Sequence, residues 1–177
     1  MAPPETGAGE PALEPPSRER LTARVLLFDP SDRILLMKGR LPSDPAAAGA
    51  WFTIGGGVEA GESLAAAAAR EVAEETGLTQ FEIGELVWRR EAIYHDRKHR
   101  PILFRESYFV ARCAGGALSR DGWQALEREF VDDMRWWTLA DLSACAEPVF
   151  PPGLARMAAD ILAGRPLAAD HPASPVS

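Results

Sequence analysis

The sequence predicts an α+β domain, and three observations carry that reading. Short apolar runs of strand length recur along the chain, separated by turn clusters. Only two stretches have helical spacing, one alanine-rich around residues 63–76 and one near the C-terminus. Residues 1–18 are rich in Pro, Gly, Ala and Glu and residues 165–177 in Pro, Ala and Ser, so they are expected to be disordered tails around one domain at 19–164.

Leu21 to Phe28 reads as a strand, Asp29-Pro30-Ser31-Asp32 as a turn, and Arg33 to Met37 as a second strand, giving a hairpin. Lys38 to Ala50 is a loop with two prolines. Trp51 to Ile54 is a short strand entering Gly55-Gly56-Gly57, where side chains would block tight backbone turns. The first helix covers Ser63 to Thr76. Its five alanines favour it, Ser63 suits the N-cap, and Gly77 suits the terminating position. Leu64, Ala68 and Val72 form a narrow face of small residues that fits closely against a sheet. Strand regions follow at Phe81 to Ile93 and Pro101 to Arg112, joined by a basic loop from Tyr94 to Arg100. Cys113 to Arg120 reads as a turn and Asp121 to Phe130 as a loop or short helix. Met134 to Leu139 is a strand, and Pro152 to Ala163 a final helix with Leu154, Met157, Ala158 and Ile161 as its stripe. Strands mixed with two main helices make a sandwich-type architecture.

Composition limits the function. Hydrophobic residues are 46% of the chain, enough for a core, and the net charge of -7 leaves no basic footprint for extended nucleic acid. Cys113 and Cys145 form neither metal-ligand spacing nor a disulfide framework, so a reducing cytoplasm is expected. No apolar run approaches the roughly 20 residues that span a bilayer, and the N-terminus has no secretory h-region.

The chemistry concentrates between Gly56 and Leu78. Glu71, Glu74 and Glu75 fall at i, i+3 and i+4, within an arc of roughly 100° on one helix face. Three like charges so close repel one another. Solvation relieves this, and so does a hard divalent cation, which favours carboxylate oxygen and shares it with phosphate. Arg70 is placed to offset or orient these carboxylates. Glu59 and Glu62 add acids in the loop before the helix. The residues alone therefore leave two readings open, a wet acidic face or a site of metal-assisted phosphate-bond hydrolysis. Gly55-x-Gly57 lacks the third glycine and the βαβ setting of a dinucleotide fingerprint.

The full spacing resembles the Nudix hydrolase signature, G-x5-E-x7-R-E-U-x-E-E-x-G-U, with U a bulky aliphatic residue. Gly56, Glu62, Arg70, Glu71, Val72, Glu74, Glu75, Gly77 and Leu78 fill every fixed position. Ile54-Gly55-Gly56 stands where many relatives have Pro-Gly-Gly. The resemblance implies an α/β/α sandwich with a mixed central sheet. It implies a pyrophosphohydrolase that uses Mg²⁺ or Mn²⁺ to split a diphosphate in a small nucleoside diphosphate derivative. Nucleoside triphosphates, dinucleoside polyphosphates and nucleotide sugars all remain open. Glu74 and Glu75 fall on the principal metal ligands, and Glu71 on a position that binds metal or acts as base. Arg70 falls on the arginine that orients them. Gly56 and Glu62 belong to the loop that closes over the metal, extended by Gly55 and Gly57. Many relatives place the general base on a later loop, here between Gly122 and Asp133, with Glu127 and Glu129 favoured over Asp132 and Asp133. Glu106 is a further candidate. Homodimers are common among relatives, and the sequence leaves the oligomeric state open.

Substrate contacts are expected from Lys38, from Trp51 or Phe52 stacking on a base, from Tyr94, and from Arg97 in the basic loop. Trp136 and Trp137 are adjacent, so a strand points them to opposite faces. A non-catalytic nucleotide sensor is the alternative. An RNA decapping-type enzyme fits poorly with the acidic charge.

Overall fold

The computed structural model describes residues 16, 18–40, 49–96, 98–123 and 130–167. Its elements run β1 (Arg18–Phe28), β2 (Ile34–Gly39), β3 (Ala50–Gly57), α1 (Leu64–Thr76), β4 (Phe81–His95) and β5 (Pro101–Cys113). They continue through β6 (Val131–Trp137), α2 (Leu139–Ser143), β7 (Val149–Phe150) and α3 (Leu154–Leu162). The expected α+β sandwich is present, with a mixed sheet.

β1 is the spine. It runs parallel to β5 along its whole length, and β5 pairs antiparallel with β4. β3 divides its pairing. Its first half, through Thr53, pairs with β2, and from Ile54 to Gly57 it pairs with β1. The three glycines therefore lie on β1, with Gly55 opposite Arg24 and Gly56 opposite Ala23. β6 pairs antiparallel with β2, and β7 lies parallel to β3.

Each face of the sheet carries a core. Ala23, Val25 and Leu27 of β1 pack with Leu35, Ile54, Ala67, Ala68 and Val72 on the α1 side. Leu26 and Phe28 pack with Ile34, Trp51, Trp137, Leu154 and Met157 on the α3 side. The continuous apolar run of β1 is thus that of a strand buried on both faces. Burying side chains of this size contributes about 1.5–3 kcal/mol each. Trp136 and Trp137 do take opposite faces.

Ser63 caps α1, its Oγ accepting from the Ala66 N–H at 3.1 Å, and Gly77 closes the helix at φ 71°. Ser63→Ala should lower stability by about 1 kcal/mol in urea unfolding. Several details differ from the sequence reading, among them β6, which runs Val131–Trp137 and not Met134 to Leu139, with Leu139 opening α2. Tyr94 and His95 complete β4 instead of opening a loop, because β4 keeps pairing with β5 to His95↔Pro101. The two-residue β7 is too short to carry a periodicity. The last helix starts at Leu154, since Gly153 at φ 78° forms its cap. Among the described residues no helix is long and apolar enough to cross a membrane.

Candidate active site

Helix α1 lies against β1 and β3 and turns its carboxylates toward the glycines. The small residues explain the approach. A Cβ at Gly56 would sit 2.6 Å from Glu71 Oε1, and one at Gly55 would sit 2.1 Å from the Ala23 carbonyl oxygen. Gly55 also holds φ 129°, a conformation that only glycine adopts readily. Its N–H donates to Glu75 Oε2 at 2.8 Å.

The wet-face reading fails for two of the three helix glutamates. Glu71 and Glu75 are 7% and 6% exposed, and only the Glu74 side chain, at 39%, reaches solvent freely. Their repulsion is relieved by Arg70. Its Nη1 donates to Glu71 Oε1 at 2.9 Å and to Glu74 Oε2 at 3.2 Å. Its Nε and Nη2 donate to Glu62 at 3.0 and 3.1 Å, and Nη2 also to the Gly57 carbonyl at 2.9 Å. One guanidinium therefore ties the loop, the β3 glycines and the helix together. Hydrogen bonding to Glu62 is the main reason that Arg70 holds its proton more tightly than a free arginine. Burial works against that, and Glu71 adds to it.

Glu62 also accepts from the Glu59 N–H at 3.0 Å. The Arg70 hydrogen bond, and then this one, pull its carboxyl below the usual glutamate range. A depressed carboxyl contributes stability above its unfolded pKa and loses it as pH falls through the folded value. Carboxyl ¹³C NMR should find Glu62 titrating below an ordinary glutamate, and Arg70→Met should move it back up.

Trp123 and Ser119 were not singled out by the sequence, yet they close this end of the site. The Trp123 indole N–H donates to the Glu75 carbonyl at 2.6 Å, and the Ser119 N–H to the Thr76 carbonyl at 2.8 Å. The loop thus caps the last turn of α1. A tryptophan after Asp-Gly gives no pattern that points to a helix end. Glu127, Glu129 and Arg97 lie outside the described residues. Asp132 pairs with Arg40 at 3.1 Å, and Asp133 lies 3.7 Å from Arg120. Glu106 cannot reach a substrate water. It is 2% exposed and locked between Arg24, Arg90 and Tyr108.

The expected substrate contacts divide. Trp51 is core at 2% exposure, edge-on to Trp137 at 4.8 Å, so it has no face for a base. Its indole N–H donates to Glu147 at 2.6 Å, and Lys38 pairs with the same carboxylate. Phe52 is half-buried and stacked on Phe150, 5.4 Å between centroids. Tyr94 is a half-buried strand residue against Phe104, and its hydroxyl accepts from Arg90 at 3.1 Å. None of these four joins the carboxylate cluster.

The NUDIX domain profile matches residues 18–161. Among solved structures, the NUDIX domain of Shewanella oneidensis NrtR, crystallised with ADP ribose, superposes with a TM-score of 0.61 at 22% identity. That match covers 82% of this chain and 90% of the other. A MutT protein from Methanosarcina mazei matches at 0.57 and 21%, covering 86% and 98%. A UDP-X diphosphatase matches at 0.60 and 13%, covering 87% and 68%. At these identities the likeness is one of fold.

Proposed function

The chain belongs to the Nudix hydrolase family, and from that premise we propose that it is a Mg²⁺- or Mn²⁺-dependent pyrophosphohydrolase. Its substrate would be a small nucleoside diphosphate derivative, cleaved by water at the diphosphate. The observation that carries this reading is the Arg70 junction. It gathers Glu62, Glu71 and Glu74 beside the glycine corner that holds Glu75.

Nudix hydrolases generally use divalent metal ions. The residues here fit such an ion in kind. Carboxylates and backbone carbonyls are hard oxygen donors, and a single cationic nitrogen of Arg70 already draws Glu71 and Glu74 to one point. Among the described residues no three His, Cys, Asp or Glu side chains are gathered closely enough to hold a metal ion, so a cation would have to draw them together. Glu74, the exposed member, is the one with room to turn. Glu71, Glu74 and Glu75 would hold the cation, with the Gly56 backbone beside them. When bound, it would offset phosphate charge and acidify water at the site.

The chain's own contribution is positioning. Arg70 keeps the carboxylates in one orientation, and Gly55 keeps Glu75 aimed from below. Burial of Glu71 and Glu75 keeps bulk water from competing for them, which strengthens their pull on a cation. The general base is assigned by this proposal to Glu127 or Glu129. The ADP ribose of the NrtR domain and the UDP-X of the diphosphatase share a nucleoside diphosphate core, which supports that core as the substrate chemistry here.

The test is a panel of nucleoside triphosphates, dinucleoside polyphosphates, nucleotide sugars and ADP ribose, with Mg²⁺ and products separated by ion-pair chromatography. Two phosphorylated products from one substrate, lost on chelation, are expected. Binding of panel members with no cleavage would make the domain a nucleotide sensor instead.

A further inference from the structure

Gly55 is held from two sides. Its N–H donates to Glu75, and its carbonyl accepts from Arg24 Nη1 at 2.7 Å. Arg24 alternates with Ala23 and Val25 along β1, so it projects from the sheet face opposite α1. There its Nε donates to Glu106 Oε1 at 3.3 Å. The other Glu106 oxygen accepts from the Tyr108 hydroxyl at 3.0 Å and lies 2.7 Å from Arg90 Nε. That last contact satisfies charge without an aligned hydrogen bond. Arg90 and Glu106 side chains are 3% and 2% exposed.

Such a cluster is poor at stabilising a fold. Charges removed from water lose solvation that their mutual attraction seldom exceeds, and apolar residues of similar volume often do as well. An apolar cluster could not do one thing that this one does, which is to present a fixed cationic donor to the Gly55 carbonyl. Gly55 has no side chain to anchor it and sits at φ 129°, so the orientation of the two peptide groups that flank it depends on what they are bonded to.

We propose that Arg24 and Glu106 are positioning residues, an ion pair on the far face of the sheet that fixes the Gly55 carbonyl and, through the backbone of that residue, the N–H that holds the Glu75 carboxylate. Tyr108 and Arg90 hold Glu106 in turn, without touching Gly55. The consequence for cation binding rests on the reading of Glu75 as a ligand, whereas the Gly55 coupling does not.

The experiment uses the full chain, ¹⁵N-labelled and metal-free. Amide hydrogen exchange at Gly55 is compared with that of the β1–β5 ladder in Arg24→Met, Arg24→Lys and Glu106→Gln. Mn²⁺ affinity is then measured by electron paramagnetic resonance. Arg24→Met should speed Gly55 exchange relative to the ladder, and should weaken Mn²⁺ binding about ten- to a hundredfold, as loss of an outer partner does. Arg24→Lys should recover part of both, and Glu106→Gln should move both the same way. If Arg24→Met does not fold, the other two variants decide on the same readouts. A Gly55 amide that keeps its relative protection in the folded variants overturns the proposal, even with Mn²⁺ bound normally. Faster Gly55 exchange in the variants, with no Mn²⁺ binding even by the wild-type chain, would uphold the coupling and overturn the cation reading.

Discussion

Glu75→Gln is expected to cut turnover by roughly a hundredfold to ten-thousandfold and leave the fold in place. Cation assistance at a phosphate is worth several kcal/mol of barrier, and each step of about 1.4 kcal/mol is tenfold in rate. Glutamine keeps the volume of Glu75 and an oxygen for the Gly55 N–H, so the corner survives. It removes the negative charge from a site only 6% exposed, where no bulk water compensates. Steady-state kinetics with circular dichroism checks this. Turnover unchanged in a folded protein would remove Glu75 from the site.

Gly55→Ala is expected to cost about 2–6 kcal/mol of stability. The backbone strain at φ 129° accounts for about 1–3 kcal/mol. The new Cβ would lie 2.1 Å from the Ala23 oxygen and 2.9 Å from Arg24 Cα, and both are backbone atoms of the central strand. Overpacking of this kind typically adds about 1–3 kcal/mol. Relief requires β3 to move off β1, which withdraws the Gly55 N–H from Glu75. Denaturant unfolding should therefore show a large loss, and the surviving folded protein should have low turnover. Gly61→Ala makes the contrast. It faces open space, with only its φ of 81° to strain it.

How much of this was legible in the sequence depended on whether the cause was local. Ser63, Gly77 and the alanine run act within a few residues, so α1 and both its ends were readable. The spacing of Glu62, Arg70, Glu71, Glu74 and Glu75 also records a local geometry, since one helix and its preceding loop carry all of them. What joins distant strands was not readable. Glu106 looked like a candidate base, yet Arg24 and Arg90 reach it from β1 and β4 and close it off. Trp51 looked available for stacking until β2 and β6 covered it with Lys38, Arg135 and Trp137. Trp123 gave no signal because its partner is a backbone carbonyl at the end of α1. The polar residues after Tyr94 obscure how far β4 extends, so the sequence alone reads that tyrosine as a loop residue.

The proposed function stands or falls with binding of a divalent cation by these glutamates, held by Arg70 and the glycine corner. Titrating Mn²⁺ into the wild-type chain and Glu75→Gln, with free Mn²⁺ read by electron paramagnetic resonance, tests it most directly. A saturable site is expected in the wild type, with an affinity at least about tenfold weaker in the variant. Equal affinity in the two proteins, or no saturable site in the wild type, would contradict it.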